Sequence, residues 1–76
     1  MAQFDLWTVQ RESRICLCSV REEGVWFILR LSLDGRYLYS RGHKTREAAI
    51  GEADVLREDY LDRGWVVIDA TFGQTH

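Results

Sequence analysis

Val25-Trp26-Phe27-Ile28-Leu29-Arg30-Leu31-Ser32-Leu33-Asp34-Gly35-Arg36-Tyr37-Leu38-Tyr39 is the stretch on which the fold turns. Residues 25–31 carry one charge among β-branched, aromatic and aliphatic side chains, which suits a pleated and mostly covered strand. Asp34-Gly35 supplies two neighbouring positions that tolerate positive φ, as a two-residue type I′ turn requires. With apolar runs on either side, the segment reads as an antiparallel hairpin, and the turn pairs Leu31 with Leu38, Arg30 with Tyr39 and Leu29 with Ser40.

Upstream, Phe4 to Val9 alternates weakly and reads as a strand closed by the polar group Gln10-Arg11-Glu12-Ser13, and a second strand runs from about Arg14 to Arg21. Glu22-Glu23-Gly24 reads as a three-residue hairpin loop with glycine at its positive-φ position. That loop pairs Val20 with Trp26, Cys18 with Ile28, Leu17 with Leu29 and Ile15 with Leu31. Side chains alternate along a strand, so the two hairpins together put Ile15, Leu17, Val25, Phe27, Leu29, Leu31 and Leu38 on one face. A two-residue turn at Arg11-Glu12 would add Phe4 and Leu6. The opposite face then carries Trp7, Val9, Cys16, Cys18, Val20, Trp26, Ile28, Arg30, Tyr37, Tyr39 and Arg41.

Downstream, Thr45 is placed to cap a helix and Gly64 to end it, with Glu47 in the first turn where the macrodipole favours an anion. Ala49, Ala53, Leu56 and Tyr60, flanked by Ile50 and Leu61, form a stripe that can lie on a sheet. Gly51 inside this helix costs about 1 kcal/mol relative to alanine. Trp65 to Phe72 is a last apolar strand. The expected order is β-β-β-β-α-β: an α+β fold with an antiparallel sheet of four or five strands and one amphipathic helix on one face. It forms a single domain over residues 1–76, with residues 73–76 expected to fray.

One helix covers one face of a small sheet. At 76 residues only about 60% of the unfolded chain's surface is buried on folding, so the second face matters to the whole domain. Its expected apolar side chains exceed the few hundred Å² that monomers usually expose. The leading expectation is therefore a non-enzymatic protein-interaction domain, a homodimer joined through Trp7, Val20, Trp26, Ile28, Tyr37 and Tyr39.

A net charge of −2 with a pI of about 5.6 gives no overall attraction to phosphate backbones or anionic membranes. No apolar run approaches the roughly 18 residues of a membrane span, and no secretory-type leader is visible, so the expected location is cytoplasmic. Cys16 and Cys18 follow one another along one strand face, an awkward geometry for a mutual disulfide, and free thiols are expected. Two cysteines with His43 in a loop and His76 at a terminus do not make a zinc set, and no phosphate loop, nucleophile elbow or HExxH is present. No enzyme activity, metal or cofactor is expected. The helix carboxylates Glu52, Asp54, Glu58, Asp59 and Asp62 read as a solvated face, or as a surface for a basic partner.

Arg36 to Arg46 interleaves four positive residues with Tyr37 and Tyr39. Arginines beside aromatics suit base stacking, so the alternative expectation is a small nucleic-acid-binding module using Arg30, Tyr37, Tyr39, Arg41, Lys44 and Arg46. Antiparallel strands followed by a helix opening Lys44-Thr45-Arg46-Glu47-Ala48-Ala49 are similar to the three-stranded DNA-binding modules at the start of tyrosine integrases and in plant AP2 domains, over roughly residues 25–60. That resemblance implies a sheet face, rich in Arg and Lys, that enters the major groove. Here the expected face has Cys16, Cys18, Val20 and Ile28 with only Arg30 and Arg41, so the departure falls on the residues that would read DNA.

Overall fold

The computed structural model describes residues 2–70. Its elements are β1 (Gln3–Arg11), β2 (Arg14–Glu23), β3 (Trp26–Leu33), β4 (Arg36–His43), α1 (Arg46–Asp62) and β5 (Val66–Ala70). The strands form one antiparallel sheet in the order β4-β3-β2-β1-β5, and the helix packs against one face of it. This is the expected α+β architecture. The last strand pairs with β1 and forms an edge; the expectation of a frayed 73–76 lies outside the described residues.

The turn between β2 and β3 is Gly24-Val25 and not Glu22-Glu23-Gly24. Gly24 takes φ 63°, Glu23 pairs with Trp26, and Val20 pairs with Leu29 instead of Trp26. A glycine of positive φ at the first central position fits a two-residue turn as well as it fits a longer loop. The three-residue displacement in register is odd, so it reverses which side of β2 faces which side of β3. Cys16, Cys18 and Val20 consequently line up with Leu33, Leu31 and Leu29.

The Asp34-Gly35 turn forms as expected, with φ 51° and 82°, and Asp34 also ties it to β2. Its backbone N–H donates to the Ile15 carbonyl at 2.8 Å and its carboxylate accepts from the Ile15 N–H at 2.9 Å. Beyond Ser32↔Tyr37 the ladder slips at a bulge at Leu38, giving Leu31↔Tyr39, Arg30↔Ser40 and Leu29↔Arg41. The extra residue turns Tyr39, Arg41 and His43 toward the helix side, away from the face expected for Tyr39 and Arg41. The first turn sits at Glu12-Ser13, and a bulge at Leu6 brings Phe4 over to the same side as Val20.

Under the helix lie Leu6, Trp7, Val9, Cys16, Cys18, Val20, Leu29 and Leu31, each at most 4% exposed, closed by Ala49 and Ala53. The two alanines hold the helix axis close to the sheet. Close approach lets the buried Trp7 indole donate from Nε1 to the Ala53 carbonyl at 3.0 Å.

The helix ends match their sequence signals. Thr45 accepts from the Ala48 N–H at 3.1 Å, and Gly64 adopts φ 93°. Trp65 N–H donates to the Tyr60 carbonyl and Gly64 N–H to Leu61, the paired bonds of a Schellman stop. The Tyr60 and Trp65 rings meet edge to face at 5.2 Å, supplying the apolar contact that accompanies this motif.

Candidate interaction surface

The helix leaves the other sheet face uncovered, and register determines what stands on it. Ile15, Leu17, Ser19, Arg21 and Glu23 of β2 share it with Trp26, Ile28, Arg30 and Ser32 of β3, Tyr37 and Ser40 of β4, Gln3, Asp5, Thr8 and Gln10 of β1, and Val66 and Asp69 of β5. The exposed apolar groups are Ile15, Trp26, Tyr37 and Val66, with Leu17 and Ile28 half-buried.

Two local packings organise this face. A Cβ on Gly42 would lie 3.3 Å from Trp26 Cε3 and 3.4 Å from Ile28 Cδ1, so the glycine lets the indole lie across β4. Trp26 remains 43% exposed in that position. Further along, the Arg30 guanidinium stacks over the Tyr37 ring at 4.1 Å. The pair borders a shallow depression of about 230 Å³ floored by Leu17, Ser19 and Ser32 and reached by Gln3. Stacking orients the guanidinium while leaving its N–H donors open; among the described residues Arg30 forms no side-chain hydrogen bond or ion pair.

The expected interface set is divided by these facts. Trp26, Ile28 and Tyr37 share the open face, Trp26 and Ile28 toward the β2–β3 turn and Tyr37 at the other end of β3 beside Ser32. Trp7 and Val20 do not: both are core side chains under the helix, placed there by the odd shift in the β2–β3 register. Tyr39 belongs to the helix side. Ile15 and Leu17, expected in the core, are on the open face; Val25 is in a turn and Leu38 in a bulge, both exposed.

The cationic set is divided as well. Tyr39 donates from its hydroxyl to Glu52 Oε2 at 2.6 Å, His43 Nε2 meets Glu52 Oε1 at 2.5 Å, and Arg41 approaches the same carboxylate at 3.8 Å. Arg46 turns to Glu22 at 3.3 Å and lies over the Phe4 ring at 5.3 Å. Lys44 sits in the loop before the helix. Of that set only Arg30 and Tyr37 stand on the open face; Tyr39 and Arg41 are on the helix side.

Glu52 was legible in the sequence only as one of several helix carboxylates, yet it pins the edge strand β4 to the helix. Burial acts to raise its carboxyl, but the hydrogen bonds from Tyr39 and His43, with their neighbouring charges, outweigh it and hold the group below the usual range. The bond to Glu52 raises the Tyr39 hydroxyl in turn. These groups are arranged as a structural tie. The nearest thiols offer no nucleophile: both cysteines are free and buried, burial pushes Cys18 up to about 12, and burial also raises Cys16, offset in part by a hydrogen bond with Tyr60.

Among the described residues no His, Cys, Asp and Glu group is placed to hold a metal, and no helix is long and apolar enough to cross a membrane. No known protein family matches the chain, and neither does any curated protein or any solved structure.

Proposed function

We propose that this chain is a non-enzymatic interaction domain that self-associates through its helix-free sheet face, with Trp26, Ile28 and Tyr37 at the contact. The observation that carries this reading is the composition of that face: a tryptophan, a tyrosine and a stacked arginine, the residue types that dominate binding energy at interfaces, stand beside aliphatic Ile15, Leu17 and Ile28. The occupant is a second copy, because the charges on the face that lack an ion-pair partner among the described residues are of both signs and divide between its two halves. Arg30 lies on β3, while Asp5 and Asp69 lie on β1 and β5.

Eight-residue strands at about 3.3 Å per residue, across four spacings of about 4.8 Å, give a projected face of about 500 Å². Two such faces reach the lower limit of a specific interface, about 1,000 Å² in total, so the dimer is expected to be weak, with a dissociation constant on the order of micromolar or above. Light scattering after size exclusion, run from about 10 μM to about 1 mM to bracket that range, is expected to give a mass rising toward twice 8.9 kDa. Trp26→Glu is expected to hold the mass at one copy while leaving the circular dichroism spectrum intact. A wild-type chain that stays monomeric at the highest concentration would end this reading. The nucleic-acid alternative has less support, since Arg41 and Arg46 are engaged by Glu52 and Glu22.

A further inference from the structure

We infer that the second copy docks about a two-fold axis running along β2, so that Arg30 of each protomer meets Asp5 of the other. This rests on the self-association reading above and adds the docking geometry to it.

The inference starts from one cross-strand row. Asp5 pairs with Ser19, Ser19 with Arg30 and Arg30 with Ser40, so on the open face these four residues lie in line across β1, β2, β3 and β4. Ser19 is the middle of the row for the two charges, and it is small and only 6% exposed. Arg30 and Asp5 stand two strand spacings apart, roughly 10 Å between their backbones, and the Arg30 guanidinium lies over Tyr37 on β4, the side of β3 away from Asp5. Neither makes a side-chain ion pair or hydrogen bond among the described residues. Other charges on this face differ: Arg21 and Glu23 approach each other at 3.8 Å. Subtracting that pair leaves one cation, Arg30 on β3, and two anions, Asp5 on β1 and Asp69 on β5.

Symmetry then selects the axis. A dimer contact of this kind is isologous, so each surface patch must complement itself. A two-fold axis lying across the strands sets β3 over β3 and β1 over β1, bringing the cationic side onto the cationic side. An axis along β2 exchanges the two sides and, on the axis itself, sets the internally neutralised Arg21–Glu23 pair of one copy over the same pair of the other. It puts Ser19, on the floor of the depression, opposite Ser19, and Arg30 against Asp5 twice.

The neighbouring row, Asp69, Thr8, Leu17, Ser32 and Tyr37, obeys the same exchange. Leu17 meets Leu17 on the axis, and Tyr37, on which Arg30 is stacked, comes opposite Asp69. The stacked arginine and tyrosine of one copy thus face both unpaired acids of the other. Aligned sheets packing face to face at about −30° accommodate this arrangement.

The test uses the full chain and two single charge reversals. Arg30→Asp gives a protomer with acids at both positions, and Asp5→Arg gives one with cations at both. Each alone is expected to weaken self-association at least tenfold in sedimentation equilibrium, with an unchanged circular dichroism spectrum. Mixed in equal amounts, the two are expected to form a heterodimer with an affinity within about threefold of wild type, because both reciprocal pairs are restored, one in its original sense and one reversed. The double variant carrying both changes is expected to recover likewise as a homodimer. Wild-type dimers together with a mixture that stays monomeric, or with single reversals that still dimerise as wild type does, would overturn this docking geometry alone. A wild-type monomer throughout would instead remove the self-association reading beneath it.

Discussion

The two faces of the sheet are built from one alternating pattern, yet they end in different physical states. On the helix side, Trp7, Val9, Cys16, Cys18, Val20, Leu29 and Leu31 are closed from water, and the polar groups nearby are consumed in ties between elements: the Trp7 indole with Ala53, and Glu52 with Tyr39 and His43. On the open side, Trp26 and Tyr37 remain substantially exposed, and Arg30, Asp5 and Asp69 hold no ion-pair partners among the described residues. A buried side chain contributes to stability through packing, whereas an exposed aromatic beside an unpaired guanidinium has most of its interaction energy still to gain. The difference separates a face that makes the domain fold from one that is available after it has folded.

The separation breaks most sharply at Trp7. Trp7→Ala removes a fully buried aromatic and its bond to the helix, and is expected to cost about 3–5 kcal/mol, a large part of the stability of so small a domain. Chemical denaturation read by circular dichroism checks this against Trp26→Glu, which should change stability far less while abolishing association. If both substitutions unfold the protein equally, the open face contributes to folding as the helix side does.

A smaller effect belongs to Glu52. Its carboxyl lies below the usual range in the folded protein, so its contribution is complete above the unfolded value of about 4.3 and is lost as pH falls through the folded value. Glu52→Gln is expected to cost about 1–2 kcal/mol at neutral pH, the scale of hydrogen bonds to a charged group, and progressively less as pH falls through the folded value. Thermal unfolding of both proteins from pH 7 to 3 should show the two curves converging toward acid; a constant gap would mean that the tie does not depend on the charge.

The smallest effect is a gain. Gly51 lies in the helix with open space around the position of a Cβ, so Gly51→Ala is expected to stabilise by up to about 1 kcal/mol without altering dimer mass. A loss of stability would mean that the outer helix surface is occupied in solution. The expected helical cost at this position thus has no packing reason in the fold.

Much of the architecture was legible along the chain because its signals are local. Asp34-Gly35, Thr45 and Gly64 each act through the backbone of a few neighbouring residues, and all three perform the roles their chemistry implies. The Ala49-Ala53-Leu56-Tyr60 stripe likewise required only helical periodicity, and it packs as expected. Of the candidate interface, Trp26, Ile28 and Tyr37 are assigned to one face by the sequence and share that face in the fold. Trp7, Val20 and Tyr39 were not separable from them, because each depends on a pairing register.

The amino-acid sequence by itself determined the element order, the helix limits and the presence of two apolar sheet faces. Which face the helix covers was decided only in three dimensions. Glu22-Glu23-Gly24-Val25 admits a turn of two or three residues, and both sides of β2 are apolar, with Cys16, Cys18 and Val20 on one and Ile15 and Leu17 on the other. Alternation alone therefore could not choose between them. The choice fell to contacts between distant segments: the Trp7 indole against the Ala53 carbonyl, alanines seated over cysteines and valines, and a bulge at Leu38 that delivers Tyr39 and His43 to Glu52. Such contacts leave no local trace, since they join residues separated by up to 46 positions and form only when the helix is already in place.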